Sequence, residues 1–556
     1  MSSPHPSAHE FDVIVVGSGA AGLAAAITAR RLGARVLVVE KAATFGGSTA
    51  LSGGGIWVPN NPALQRAGIR DDPAEIIRYL TTLTRGLVPQ DRIAALVEHG
   101  PAAIEMLERS RFVRFRWVPG YSDYHPQLPG GSPGGRSIEP LPIDTRALGE
   151  DEAFQRAHTL KGPLGLWVTQ RDYRRLTQVK RSWAGRWTSV VAAWRVSSNL
   201  VRRRHMAATG RALAARLWLA AREAGVEVWL NSPLESLLRH DGDVVGVVVA
   251  RDGRQVEVHA QQGVVMASGG FERSLVLREK FLPPAAQTDH SSGAESNTGD
   301  GIMAGADVGA ALALMEDAWW MPAVRTPTGM VPLVSERCIP NQIIVNSHGE
   351  RFINEATPYV TFVHRQLEGG HHPAWFVMDG RARKRYPFAR VLPGQKLPQA
   401  WFDAGIAHRA DSLEALESAI GLPKGSLVGS VAAFNRGAVD GIDTEFHRGE
   451  SAYDRYYGDP TLRNPCIGEI TRPPFYAVRV EIGDLGTKGG LVCDARSRVL
   501  DKRGEVVRGL YASGNCSASV MGDEYAGPGA TIGPAIVFGY IAARDAVEGS
   551  APSAGI

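Results

Sequence analysis

The sequence predicts an α/β protein in two parts, a Rossmann-like parallel-sheet domain and an α+β domain inserted into it. Three observations carry this reading. Residues 11–41, FDVIVVGSGAAGLAAAITARRLGARVLVVEK, run strand, glycine turn, helix, strand and acid in order. Near residue 318 the texture changes to mixed aromatic, proline-rich, short-strand sequence. From about residue 485 the first texture returns, with glycine-rich turns and a closing helix. A first domain resumed late in the chain makes the second an insertion. The expected bounds are therefore 1–317 and 487–556 for the sheet domain and 318–486 for the inserted one, with the site between them.

Each element of the opening unit has a physical task. Residues 11–16 are an apolar, β-branched run of strand length. Gly17, Gly19 and Gly22 follow in G-x-G-x-x-G spacing. They permit, in turn, a tight turn, close backbone approach to a diphosphate, and close helix–strand packing. Ala20 and Ala21 open the helix, where unpaired N–H groups and the positive dipole end favour an anion. Glu40 ends the second strand at the distance expected for a ribose hydroxyl, with Lys41 beside it. Glycine-rich turns occur in many folds, but this ordered set specifies a dinucleotide site.

The next stretch, FGGSTALSGGGIWVPNN at 45–61, is dense in backbone donors and small side chains: Gly47, Ser48, Thr49, Ser52, Gly53 and Gly54. Such a loop can lie flat on a large planar ligand. A nicotinamide-binding fold would usually continue with further βαβ units here, so the loop favours a flavin. Residues 45–55 contain neither His nor Cys, so a non-covalent FAD is expected.

Residues 73–109 have helical spacing, and 118–140, rich in turn residues, holds Tyr121, Tyr124 and His125. A helix at 208–225 leads to a strand at 226–230. Residues 244–251 and 255–260 suggest an antiparallel pair, and 263–271 a separate buried strand. Leu234, Ser268, Gly269 and Asp300 join the expected cofactor contacts. Gly514 and Asn515 follow a late strand, and Thr531 and Ile532 open the last helix, whose free N–H groups can face a ligand.

Composition excludes several classes. With 556 residues, 44% hydrophobic and 21% charged, and a net charge of +4, the chain is an ordinary globular one without a polyanion signature. Cys338, Cys466, Cys493 and Cys516 lie far apart, which argues against a disulfide framework or a zinc site and fits a reducing cytoplasm. Residues 1–10 lack an apolar signal region, and no stretch reaches eighteen uncharged apolar residues, so no span is expected. The segment near 145–207 is unusual. Between Lys161 and Arg204 eleven Lys or Arg face one acid, Asp172, interleaved with Trp167, Tyr173, Trp183, Trp187 and Trp194. Three readings compete: docking on an anionic membrane surface, a nucleic-acid patch, and a solvated helical excursion. The first is preferred, giving a cytoplasmic protein peripherally attached to the membrane and no nucleic-acid partner.

Further motifs resemble the succinate dehydrogenase/fumarate reductase flavoprotein family, and within it the bacterial 3-ketosteroid dehydrogenases. They are GSGAAG at 17–22, FGGSTALSGGGIW at 45–57, NTGDG at 297–301, GERFINE at 349–355 and LYASGN at 510–515. The resemblance covers nearly the whole chain outside 145–207. It implies an FAD enzyme whose catalytic domain is inserted into the FAD domain. Asp123-Tyr124-His125 looks like the steroid enzymes' Asp-Tyr-Tyr, Thr357-Pro358-Tyr359 carries their second tyrosine, and EYAGPG at 524–529 is similar to their Tyr-Pro-Gly-x-Gly. The departures are His125 for tyrosine and Ala526 for proline, which put the loop geometry in question. Fumarate reductases carry histidine ahead of Gly-Gly-Leu, where this chain has Thr487-Lys488-Gly489-Gly490-Leu491.

The resemblance implies Tyr359 as the base taking a proton from carbon 2, Tyr124 as its hydrogen-bonding partner, and Tyr525 with the Gly529 N–H as the oxyanion pair. Hydride would leave carbon 1 for flavin N5, giving 1,2-dehydrogenation of a 3-ketosteroid, with or without an aliphatic side chain, and passing electrons to an external acceptor. The alternatives are the 4,5 (5α) reaction, a fumarate-reductase-like flavoprotein, and a membrane- or nucleic-acid-binding flavoprotein that turns over no steroid.

Overall fold

A computed structural model describes residues 9–157 and 167–549. Among these, eight strands form a sheet in which His9–Val16 is central. It lies between Val36–Val39 and Arg254–Met266, parallel to both. Glu227–Trp229 extends the parallel run on one side and Val506–Ala512 on the other. Parallel strands are covered on both faces and so read as unbroken apolar runs; Val13, Ile14, Val15, Leu37 and Val38 are fully buried. The helix Ala20–Arg31 packs against Ile532–Glu548. Small residues make that contact close: a Cβ on Gly539 would lie 2.5 Å from the Ala21 carbonyl oxygen.

Arg254–Met266 is one strand where the sequence suggests two. Its register against His9–Val16 shifts between Phe11 and Val13, so residues 261 and 262 oppose Asp12 in a bulge. The polar Gln261-Gln262 pair marks that bulge rather than a break.

A second sheet of six strands among the described residues is antiparallel throughout. The chain enters it at Ala318–Thr326 and leaves by Phe475–Thr487. This last strand pairs with Ala374–Met378 and Ala407–Ala410 in its first half and with Ala318–Thr326 in its second. The helix Tyr359–Glu368 lies against Ala318–Thr326.

The basic segment folds as two helices, Gln170–Leu176 and Trp183–Val201; Lys161, at its start, lies outside the described residues. The longer helix buries a small face of Gly185, Thr188 and Ala192. A Cβ on Gly185 would lie 2.7 Å from the carbonyl oxygens of Arg175 and Gln178, so the two helices pack tightly. Its other face exposes Trp183, Trp187, Val190, Trp194 and Val201, the three tryptophans by 82%, 68% and 67%. Asp172, the lone acid, is bound by Arg195 at 2.6 Å. No helix of the described residues is long and apolar enough to cross a membrane.

Candidate active site

One cavity of about 1470 Å³ runs along the C-terminal ends of the parallel strands and under the second sheet. It exceeds the roughly 300–1,000 Å³ of an ordinary small-ligand site. Gly17 lines it with φ +107°; a Cβ there would meet the Ala267 carbonyl oxygen at 2.4 Å, so only glycine makes this turn. Gly19, Ala20 and Ala21 line the cavity at the helix start, and the Ala20 N–H donates to Thr49 Oγ1 at 3.0 Å. Gly22 does not line it. Its place is behind, where a Cβ would lie 1.9 Å from the Gly17 carbonyl oxygen, so its task is packing rather than ligand contact.

Glu40 lines the cavity from the end of its strand, and its carboxylate accepts from Ser18 N–H at 3.0 Å and Ser18 Oγ at 2.6 Å. Lys41 also lines it, paired with Asp300 at 2.6 Å. Gly47, Ser48, Thr49, Ser52, Gly53 and Gly54 form the next wall. Ser48 Oγ accepts from Ala294 N–H and Asn297 Nδ2, which ties that loop to the Asn297 turn. Leu234, Ser268 and Gly269 close one side; Gly514, Asn515, Thr531 and Ile532 close the other. The glycine turn, helix N-terminus and terminal acid form a cradle that fits a dinucleotide, and the remaining length has room for a flat ring system.

The same cavity is lined by Tyr124, Tyr359, Tyr525 and Gly529, which come from three distant segments. Tyr359 is the first residue of its helix, set by Pro358 at the cap. Tyr124 follows Asp123, a buried carboxylate that pairs with Arg136 and accepts from Trp57 Nε1 at 2.8 Å and Ser132 N–H at 2.9 Å. The Tyr124 N–H donates to the Ala526 carbonyl at 3.0 Å, and the Tyr79 hydroxyl to the same oxygen at 2.6 Å. The Tyr124 hydroxyl donates to the Tyr359 oxygen at 3.0 Å. The three rings lie with centroids 5.0 to 5.5 Å apart.

Burial pushes the Tyr359 phenol well above its ordinary value; nearby phenols add to this, and the Tyr124 hydrogen bond opposes it. The hydrogen bond has the expected direction, but burial outweighs it. Tyr525 is also raised by burial, while Thr531 Oγ1, which donates to its oxygen at 3.0 Å, works the other way. That bond occupies an acceptor position of Tyr525 and leaves its own proton to be donated. Gly529 has φ +94°, and a Cβ there would lie 2.3 Å from the Gly55 carbonyl. Its own carbonyl accepts from Trp57 N–H at 3.1 Å, fixing the turn beside Tyr525.

The site also contains residues that no motif marked. The Tyr453 ring lies tilted against Tyr124 with centroids 4.6 Å apart, the Tyr457 hydroxyl donates to Tyr121 at 3.0 Å, and the Trp319 ring lies 4.8 Å from Tyr525. Their signal in the sequence is an aromatic-rich stretch at 453–457 and the Trp319-Trp320 pair, neither with a diagnostic spacing.

A family model described as an FAD binding domain matches residues 12–532. A 3-oxosteroid 1-dehydrogenase of Mycolicibacterium smegmatis is 45% identical over 559 residues, covering 98% of each chain. One from Mycobacterium tuberculosis is 46% identical, covering 96% of this chain and 98% of its own length. Among solved structures, a 3-ketosteroid delta1-dehydrogenase from Sterolibacterium denitrificans, in complex with 1,4-androstadiene-3,17-dione, superposes with a TM-score of 0.91 at 39% identity, covering 98% of this chain and 100% of that one. The cofactor of the cradle is therefore FAD. Acid precipitation of the purified yellow protein is expected to leave the flavin in the supernatant, since the loop at 45–55 offers no His or Cys to bond it; flavin in the pellet would contradict this. By the match of its FAD binding domain and by its identity to full-length relatives, the chain belongs to the FAD-binding flavoprotein family, in the branch that contains the 3-oxosteroid 1-dehydrogenases.

Proposed function

We propose that the protein removes two hydrogens from carbons 1 and 2 of a 3-ketosteroid, with FAD as the oxidant and an external acceptor to take the electrons onward. The observation that carries this is the convergence of three phenols and Gly529 on the cavity that also holds the dinucleotide cradle. Charge builds on a ketone oxygen as the adjacent proton leaves, and preorganised donors stabilise it. The Tyr525 hydroxyl and the Gly529 N–H are suited to that task. Tyr359 takes the proton from carbon 2, with Tyr124 donating to its oxygen and stabilising the ionised phenol. FAD bound in the cradle supplies the hydride acceptor for carbon 1.

The 4,5 reaction is the alternative regiochemistry. The full-length relatives at 45–46% identity carry the 1-dehydrogenase name, whereas the neighbour named a 3-ketosteroid-delta4-(5alpha)-dehydrogenase is 23% identical and shares the fold. A dicarboxylate substrate suits the site poorly, since phenols line the cavity and the single lysine of the TKGGL stretch is fully buried. Anaerobic mixing with a 3-keto-4-ene steroid is expected to bleach the flavin and yield the 1,4-diene. Bleaching by a 5α-reduced steroid with a 4-ene product, and none by the 4-ene itself, would overturn the assignment.

The exposed face of Trp183–Val201 supports an anionic membrane surface as a partner. Tryptophans so exposed on one helix face are unusual, and Arg186, Arg202, Arg203 and Arg204 lie on or beside that helix and are exposed. Each basic group near an anionic leaflet contributes about 1 kcal/mol, screened by salt, and tryptophan burial adds a part that salt does not weaken. The protein is expected to sediment with anionic vesicles, to be only partly released by high salt, and to accept sterols with long side chains. Changing Trp183, Trp187 and Trp194 together to serine should remove vesicle binding and leave turnover of a compact, soluble ketosteroid intact. No vesicle binding by the intact protein would favour a solvated excursion, sedimentation unchanged in the triple variant would take the tryptophans out of the docking surface, and binding to nucleic acid instead would point to the basic-patch reading.

A further inference from the structure

Behind the three tyrosines lies a polar ring that joins the two sheets. Glu524 precedes Tyr525 and is buried. Its carboxylate oxygen Oε2 accepts from Thr361 Oγ1 at 3.1 Å, and Thr361 lies two residues after Tyr359 on the same helix. His125, next to Tyr124, approaches the same oxygen at 3.4 Å, and Arg85 approaches the other at 3.5 Å. One carboxylate therefore touches every segment that carries a tyrosine of the site.

The backbone of Glu524 closes a second link. Lys488 Nζ, fully buried, donates to the Glu524 carbonyl at 2.9 Å and lies 3.4 Å from Asp317. Asp317 in turn holds His364 Nε2 at 2.8 Å. His364 and Thr361 are three residues apart, hence on one face of the helix that starts at Tyr359. The circuit runs from Glu524 through Thr361 and the helix to His364, Asp317, Lys488 and back. Burial opposes ionisation of Glu524, but His125 and Lys488 prevail and hold it at about 2. Glu524 is thus the anionic partner in these contacts near neutral pH.

We infer that Glu524 is a positioning residue, which sets the separation of Tyr359 from Tyr525 by clasping the Tyr359 helix through Thr361 and the Tyr124 loop through His125. This rests on the roles proposed above for the tyrosines. Tyr359 starts a helix packed on the second sheet, whereas Tyr525 lies in the loop ahead of the last helix, which packs on the first sheet, so without such a clasp their distance would follow any relative movement of the two. Misplacement by about 1 Å can cost on the order of 100-fold in rate.

The test is anaerobic stopped-flow reduction of the holoenzyme by a 3-ketosteroid, read per bound flavin, so that loss of folded protein does not enter. Thr361→Val, which keeps shape and removes the hydroxyl, is expected to lower the limiting rate roughly 10- to 100-fold with little change in the steroid concentration at half-saturation. Thr361→Ser should restore the rate to within about threefold, and Glu524→Gln should not add its full effect to Thr361→Val, because contacting partners are coupled. A limiting rate for Thr361→Val equal to wild type, or a serine variant as slow as the valine one, would overturn the inference. Multiplicative effects in the double variant would do the same. A wild-type flavin that no 3-ketosteroid reduces would instead overturn the functional reading beneath it.

Discussion

Replacement of Tyr359 by phenylalanine is expected to lower the rate of flavin reduction by about 100- to 10,000-fold, the usual contribution of a general base, while FAD remains bound. The ring is retained, so the packing against Tyr124 and Tyr525 survives; only the oxygen that accepts the Tyr124 hydrogen bond is lost. The pH profile gives an independent sign. Burial raises the Tyr359 phenol well above its ordinary value, so the basic form is the minor one at neutral pH. The rate of the wild type should therefore climb with pH, by about tenfold per unit on the acid limb. The phenylalanine variant should lack that limb. A variant with wild-type rates would mean that another group takes the proton.

Tyr525→Phe is expected to cost on the order of 100- to 1,000-fold, the effect of removing one donor from an oxyanion site. The loss should fall on the limiting rate more than on steroid binding, because the carbonyl oxygen gains charge as the reaction proceeds. Thr531 would lose its acceptor, a smaller penalty at the start of the last helix. Substrates whose enolate, formed as the carbon-2 proton leaves, is already stabilised should suffer less. An equal loss for every ketone, confined to binding, would assign Tyr525 to recognition alone.

How far the sequence reaches depends on whether a constraint is local. The glycine turn at Gly17, the acid at Glu40 and the loop at 47–54 are each specified within a few residues, and they line the cavity as spacing alone suggests. Gly22 is the exception within that motif: spacing marks it, but its contact is with the Gly17 carbonyl. Lys488 was visible as a residue standing where relatives of another branch carry histidine, yet nothing local shows that it is fully buried against Asp317. Tyr453 and Tyr457 reach the site only through the path of the second sheet's connections, which no short pattern encodes. The tryptophans at 183, 187 and 194 already have helical spacing in the sequence; which face the helix turns outward is settled by Gly185 and Thr188 on the other side.

The strand Val506–Ala512 and the helix Ile532–Glu548 complete the sheet begun by His9–Val16, and this has a consequence for biosynthesis. During translation the first half of that sheet emerges early and waits, with the face of Ala20–Arg31 that will meet Ile532–Glu548 still uncovered. The six strands of the second sheet all lie between residues 318 and 487 and can pair while the ribosome is still at work. Chains lengthen at about 5–20 residues per second, so the partly built first domain persists for tens of seconds before its last helix arrives. The cradle for FAD therefore stays open until Gly514, Asn515, Thr531 and Ile532, which form its last wall, have left the exit tunnel.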